Sequence, residues 1–320
     1  PLLPRPAQIA FRRLVSRVQA RSTFPRWPLE TALHDLYGLL FRIAAELAGS
    51  AIPWIAPWPT PYRWALVLTH DVETETGYRN LPAVRDLERQ LGYRSAWNFV
   101  ARRYRVADER VAELTADGFE VGVHGLYHDG RDLESLATLM RRLPEMRACA
   151  ERWGATGFRS PATQRDWRLV SALGFDYDSS YPDTDPFEPQ PGGCCSWLPY
   201  PIGRVVELPI TLPQDHTLFA ILRTVDAEPW IAKASVLRER GGMALLITHP
   251  DYLVGARELG VYRAFLAHFA ADDRAWRALP REVAAWWRRR AASEIRRVDG
   301  SWRVVGPAAG DAEVCFGPPA

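Results

Sequence analysis

From Trp64 to Thr248 the chain alternates short apolar runs with amphipathic segments that end in glycine, and this alternation restricts the fold more than any other feature. Ala65–Thr69 (ALVLT) reads as a buried strand and Ala83–Leu91 as a helix closed by Gly92. Ser95–Val100 is the next strand, Asp108–Asp117 a helix stopped by Gly118, Phe119–Val123 a strand and Leu133–Trp153 a long helix ended by Gly154. Gly157–Arg159, Gly174–Tyr177 and Val205–Leu208 continue as strands, with a helix at Trp167–Leu173. A helix at Pro229–Arg240 then leads into the strand Met243–Thr248 (MALLIT). Apolar strands regained after each glycine-stopped helix imply parallel strands with crossover helices. About seven strands in series favour a closed or nearly closed (β/α) barrel over an open sheet, and no GxGxxG dinucleotide fingerprint supports the open alternative.

The flanks read differently. Residues 1–60 suggest two helices and a Pro/Trp-rich connector, AIPWIAPWPTPYRW, that enters the main unit at 61–295. Helices follow at Ala256–Ala271 and Glu282–Ala292, and the 296–320 tail, with SWRVVGPAAGDAEVCF, suggests two short strands around a Gly/Pro turn: a hairpin or a truncated module. The Pro/Gly-rich loop 182–203 is long enough to be functional. A net charge of +2 gives no reason to expect nucleic acid or an anionic membrane surface as a partner. No apolar run approaches the roughly 20 residues of a membrane span; the stretch Leu39–Ile52 is broken by Arg42, Glu46 and Ser50. The basic opening segment lacks an apolar signal core, which makes cytoplasm the expected location. Cys149, Cys194, Cys195 and Cys315 show no zinc-knuckle spacing and are expected as reduced thiols. Thirteen tryptophans raise carbohydrate as a substrate, because aromatic faces suit sugar rings.

Polar residues fall at or just past the carboxyl ends of the predicted strands, the end at which α/β barrels build active sites. THDVE (Thr69–Glu73) places two carboxylates one residue apart, able to divide cation binding from proton abstraction; a helix N-cap with a first-turn acid reads equally well in isolation. In VGVHGLYHD, His124 and His128 are four apart, and on a helical turn their rings would share a face roughly 6 Å apart at Cβ. Arg159 in GFRSPA would hold a neighbouring carboxylate ionised. Asp178 in FDYDSSYPD follows a strand, and His249 ends the apolar strand of LLITHP, where it would donate a proton or bind the ion. Asp215, in LPITLPQDH, follows another strand and could reach the site, although a turn or cap role also fits; His216 and His268 read as surface residues.

These motifs, in this order, resemble the polysaccharide deacetylase family, also known as carbohydrate esterase family 4 or the NodB-homology domain. The resemblance runs from about Trp64 to Pro250, and it extends toward the helix ending near Ala292. It rests on THDVE, HGLYH, RSP, YDSS and the LxxH motif at Leu246–His249. It implies a deformed (β/α)7 barrel holding one divalent ion, zinc first and cobalt, nickel or manganese next. Carried onto this chain, Asp71 is the catalytic base, Arg159 positions it, His249 is the proton donor and Asp178 tunes that donor. His124 and His128 are metal ligands, and Leu246 lines the acetyl pocket. Tyr181, Asp215 and Pro161 are expected on the substrate side. The family's adjacent second acid is replaced by Val72, so the sequence resembles the DxD branch, with Glu73 as the longer acidic ligand. Gly125 stands where Ser or Thr is usual, and Pro250 follows His249.

The expected reaction is metal-assisted removal of an N- or O-acetyl group from a carbohydrate or glycan precursor. Two alternatives stay open: an allantoinase-like hydrolase of a small C–N bond, and a metal-bearing barrel that binds glycans without catalysis. An extended groove lined by Trp197, Trp230 or Tyr252 would favour a glycan, and a closed pocket a small molecule.

Overall fold

The computed structural model describes residues 4–19, 21–187 and 192–317. Two helices come first, α1 (Arg5–Gln19) and α2 (Ala32–Ala48), the second stopped by Gly49 at φ 64°. A short strand β1 (Pro53–Ile55) lies in the Pro/Trp-rich connector. The repeating part then runs β2 (Trp64–Val72), α3 (Glu75–Gln90), β3 (Ala96–Phe99), α4 (Asp108–Ala116), β4 (Glu120–Val123), α5 (Leu136–Trp153), β5 (Gly157–Phe158), α6 (Trp167–Val170) and β6 (Tyr177–Asp178). After a hairpin of β7 (Tyr200–Ile202) and β8 (Val205–Glu207) come one π turn (Thr217–Leu222), α7 (Glu228–Glu239) and β9 (Met243–Thr248). The chain finishes with α8 (Ala256–His268), β10 (Ala275–Trp276), α9 (Pro280–Ala291), β11 (Glu294–Val298), β12 (Ser301–Val305) and β13 (Val314–Phe316).

Seven parallel strands curl in the order β9-β2-β3-β4-β5-β6-β8. Strand β2 is the hub: all nine of its residues are buried, and it pairs with β9, β3 and β10. The sheet closes on itself where the chain leaves β8, because the Thr211 and Leu212 N–H groups both donate to the Leu245 carbonyl of β9. This is the (β/α) barrel expected from the alternation, deformed as the family resemblance implies. Side chains alternate between two cores. Leu66, Leu68, Trp97, Phe99, Val121, Val123 and Phe158 pack outward with α3, α5, α7 and α8. Ala65, Val67, Tyr177, Val206, Leu208, Leu245 and Ile247 pack inward over Trp58 and Trp286.

The differences from the sequence reading have local causes. Helix α3 starts eight residues before Ala83, where Thr74 caps its first turn by accepting from the Thr76 N–H, and it runs on through Pro82. The expected tail hairpin forms with other partners. Strand β12 turns back on β11, which matches it along five residues, and β13 instead runs antiparallel to β1, Trp54 opposite Cys315. In the 182–203 loop, positions 188–191 lie outside the described residues, and Asp183 and Asp185 hold the buried Lys233 ammonium at 2.9 and 3.0 Å. Trp197 and Trp230 are fully buried core residues and line no groove.

Candidate active site

The inward face of the barrel turns polar at its carboxyl end. Thr69 and Asp71 continue the inward series Ala65–Val67 of β2, and Asn98, His124, Arg159, Ser179 and His249 stand at equivalent heights on or just beyond neighbouring strands. Asp71 Oδ1 accepts from Asn98 Nδ2 at 2.9 Å and from Arg159 Nη1 at 3.1 Å. Arg159 is itself fixed by the Thr69 hydroxyl, the Ser179 carbonyl and the Ser179 hydroxyl, at 2.8, 2.7 and 2.8 Å. Burial alone would raise the Asp71 carboxyl, but the charges of Arg159, His124 and His249 and the Asn98 hydrogen bond hold it at about 2. Its second oxygen, Oδ2, lies 3.9 Å from His124 Nε2.

His124 Nδ1 lies 3.0 Å from the Arg159 carbonyl, which only an N–H can satisfy, so Nε2 carries the lone pair. That Nε2 is buried and has no hydrogen-bond partner among the described residues. Burial pushes the ring's pKa down to about 4, and the imidazole is neutral at pH 7. His128 lies in a loop at φ 57°, not on the helical turn expected from its spacing; the turn through Gly125 brings the two rings to 5.1 Å between centroids. His128 Nε2 is 3.0 Å from Glu73 Oε1. Burial would raise the Glu73 carboxyl, but the His128 hydrogen bond and the charge of His249 hold it well below the carboxylate range.

One donor atom each from Glu73, His124 and His128 falls within 4.8 Å of the other two. An ionised carboxylate, a neutral imidazole whose inward nitrogen has nothing else to bond, and a second imidazole form a donor set suited to zinc or a similar divalent ion. Val72, where the family's adjacent acid would stand, faces outward and belongs to the outer core. The next residue, Glu73, is back on the inward side, as strand alternation requires.

His249 is clamped by Asp215, which accepts from its backbone N–H and contacts its Nδ1, both at 2.6 Å. Its Nε2 lies 3.6 Å from Glu73 Oε1. Burial would lower this imidazole, but Asp215, Glu73 and Asp71 push it up to about 10. Tyr252 packs edge-on to His249 at 5.3 Å and tilts against His216 at 5.4 Å, so His216 is half-buried beside the site; His268 is exposed.

Two expected residues, Asp178 and Leu246, face away from the site. Asp178 was expected to tune the proton donor, but it points outward between Tyr177 and Ser179, bonds the Ser180 hydroxyl and faces Glu207 across the β6–β8 register. Burial raises both carboxyls of that pair, and Glu207 is raised further by the charge of Asp178. Leu246, expected in an acetyl pocket, also faces outward and joins the outer core with Leu66 and Leu68. Pro161 is buried beside Gly125, and Tyr181 is half-buried with its N–H on Glu207 Oε1 at 3.0 Å.

Asn98 and Asp251 escaped the sequence reading. Asn98 carried a faint signal, as the one amide inside the apolar run AWNFV. Asp251, two residues past His249, accepts from the Glu73 N–H at 3.1 Å and the Gly77 N–H at 3.2 Å and also bonds the Thr74 hydroxyl. It ties the Glu73 turn to the loop carrying His249.

No family model and no curated protein matches this sequence. Among solved structures, it is similar to one described as a polysaccharide deacetylase from Mycobacterium smegmatis, at 20% identity and a TM-score of 0.60 over 72% of this chain and 92% of that one. It is similar as well to one described as a polysaccharide deacetylase from Pseudomonas aeruginosa PAO1, at 19% identity, TM-score 0.59, over 73% and 94%. An allantoinase, PuuE, aligns at 18% identity, TM-score 0.58, over 73% and 93%. At these identities the likeness is one of fold.

Proposed function

We propose that the chain is a divalent-metal hydrolase that removes acetyl groups from a carbohydrate or glycan precursor. The observation that carries this reading is the buried, unpartnered Nε2 of His124, aimed at the Glu73–His128 pair beside an Asp71 carboxylate held ionised by Arg159. Glu73, His124 and His128 would hold the ion, and Asp71 sits too tightly on Arg159 and Asn98 to turn away from it. A bound divalent ion would lower the pKa of water and polarise an acyl oxygen. Asp71 then takes the water proton through Oδ2, the oxygen left clear of Arg159 and Asn98. His249, oriented at Nδ1 by Asp215, presents Nε2 to protonate the departing amine.

A second reading, hydrolysis of a small cyclic C–N compound, is supported by two observations. The allantoinase fold matches about as well as the deacetylases do, and Trp197 and Trp230 are buried rather than lining an extended groove. Both readings use the same residues. The test is to load the purified protein with zinc or cobalt and assay acetate release from N-acetylated glycans and sugars, with allantoin alongside. Asp71→Asn should retain the ion and lose turnover. Metal bound stoichiometrically with no acetate from any N-acetylated substrate would overturn the deacetylase assignment, and ring opening of allantoin would establish the second reading in its place.

A further inference from the structure

The two amino-terminal helices each leave an apolar stripe facing water, whereas an ordinary surface helix buries its apolar stripe and shows water its polar face. In α1 the exposed positions include Ala7, Phe11, Leu14 and Val18 at helical spacing, with Phe11, Leu14 and Val18 about three-fifths exposed or more. The side of α1 that meets the barrel makes its bonds through polar groups, with Ile9 and Val15 half-buried. Ser16 is buried, and Arg13 donates from Nε and Nη2 to the Ala220 carbonyl at 2.9 and 2.7 Å. Helix α2 likewise leaves apolar side chains facing water, although its docked side also half-buries Leu33 and Phe41. It docks through His34, which stacks on Trp197 at 3.4 Å between ring centroids, and through buried Gly38, while Leu36, Leu40, Ile43 and Leu47 form an exposed stripe.

The charge of this segment indicates what meets the stripes. Residues 1–29 contain six arginines and no acidic residue, in a chain whose net charge is only +2. Arg13 is committed to Ala220, and Arg26 to Glu30 and Asp35. Arg17, Arg21 and Arg42 are exposed and form no ion pair among the described residues. Apolar side chains flanked by free guanidinium groups match the interfacial zone of a bilayer with anionic headgroups. A second copy of this chain fits less well, because a two-fold interface sets a patch against itself and would bring arginines together. No helix among the described residues is long and apolar enough to cross a membrane, so the contact would be with its surface.

We propose that α1 and α2 seat this protein peripherally on an anionic lipid surface through the stripes Phe11–Leu14–Val18 and Leu36–Leu40–Ile43–Leu47, with Arg17, Arg21 and Arg42 meeting the headgroups. Because α1 is docked on the π turn that begins two residues after Asp215, the seat lies close in sequence to the clamp on His249. The proposal does not depend on which bond the site hydrolyses.

The experiment is co-sedimentation of the full chain with phosphatidylglycerol vesicles and with phosphatidylcholine vesicles at low and high salt, beside sedimentation velocity without lipid. The expected result is binding to phosphatidylglycerol that weakens with salt and is poor on phosphatidylcholine. Replacing Phe11, Leu14 and Val18 together by Ser, or Arg17 and Arg21 together by Gln, should lower partitioning by about tenfold or more. Unchanged circular dichroism and melting in these variants would show that the fold is intact, since the altered side chains are exposed. Failure to bind anionic vesicles, or binding indifferent to both sets of substitutions, would overturn the proposal. So would a stable dimer abolished by the same serine substitutions, which would give the stripes to a second copy.

Discussion

Two carboxylates in this site do unlike work because of what surrounds them. Asp71 is held by an arginine and an amide, while both oxygens of Asp215 bond His249, one of them shared with the His216 N–H. Asp215→Asn replaces one of those acceptors by an NH2 group, so either the His249 N–H or its Nδ1–H loses its partner. A buried donor left unpaired costs about 1–3 kcal/mol, and a misoriented general acid costs on the order of 10²-fold in rate. The expected outcome is a kcat lower by about two orders of magnitude with the ion retained, read from steady-state turnover and metal analysis on the same preparation. Asp71, His124, Arg159 and His249 were legible from sequence because a polar residue directly after an apolar strand is conspicuous. Asp178 and Leu246 were misplaced because a motif fixes position along the chain, whereas the barrel face depends on strand parity: 69, 71 and 249 face inward, 178 and 246 outward. Asp251 could not have been found this way, since its partners are separated from it by more than 170 residues.

At the scale of elements, the loop from β4 to α5 is what brings two histidines within reach of one candidate ion, and it depends on Gly125. Gly125 has φ 67°, and a Cβ there would come 2.3 Å from Asp132 Oδ2 and 2.6 Å from Pro161 Cγ. Asp132 is buried, accepts from the Leu126 N–H at 3.1 Å and bonds Arg142 at 2.7 Å, so it has little freedom to withdraw. Gly125→Ala should cost about 1–2 kcal/mol from the left-handed backbone alone, with more from the two contacts. Because the strain falls between the two imidazoles, metal affinity should drop by a larger factor than global stability; a chelator titration beside a thermal melt decides this. The repeating elements were readable because the helices between apolar runs ended at glycines such as Gly92, Gly118 and Gly154. The tail was read only in part, because β13 pairs with β1 from the far end of the chain, whereas β12 pairs with β11 across the short turn at Asp299 and Gly300.

At the scale of the molecule, the closed end of the barrel carries a cost that pH should reveal. Glu120 is buried there, accepting from the Tyr177 hydroxyl at 2.8 Å and the Arg281 N–H at 3.0 Å, and burial raises its carboxyl to about 7. A folded-state value above the unfolded one means that its favourable contribution is complete below about pH 4.5 and is lost as pH rises through 7. In Glu120→Gln the amide oxygen accepts from the Arg281 N–H while the NH2 donates to the Tyr177 hydroxyl oxygen, so both contacts survive, one with its direction reversed, without the charge. At pH 8 the variant should be more stable than the parent by up to about 3 kcal/mol, a gap that closes toward pH 5 in denaturant titrations. The candidate ion site has an uneven foundation too. Asp71 grows from β2, buried along its whole length, whereas Glu73 and His128 belong to turns held by the side chains of Asp251 and Asp132. Segments pinned this way open at lower free energy than strands paired on both flanks. Warming should therefore slacken the chelate while the barrel is still whole: activity would fade, and return on cooling, at temperatures where far-ultraviolet dichroism records no change.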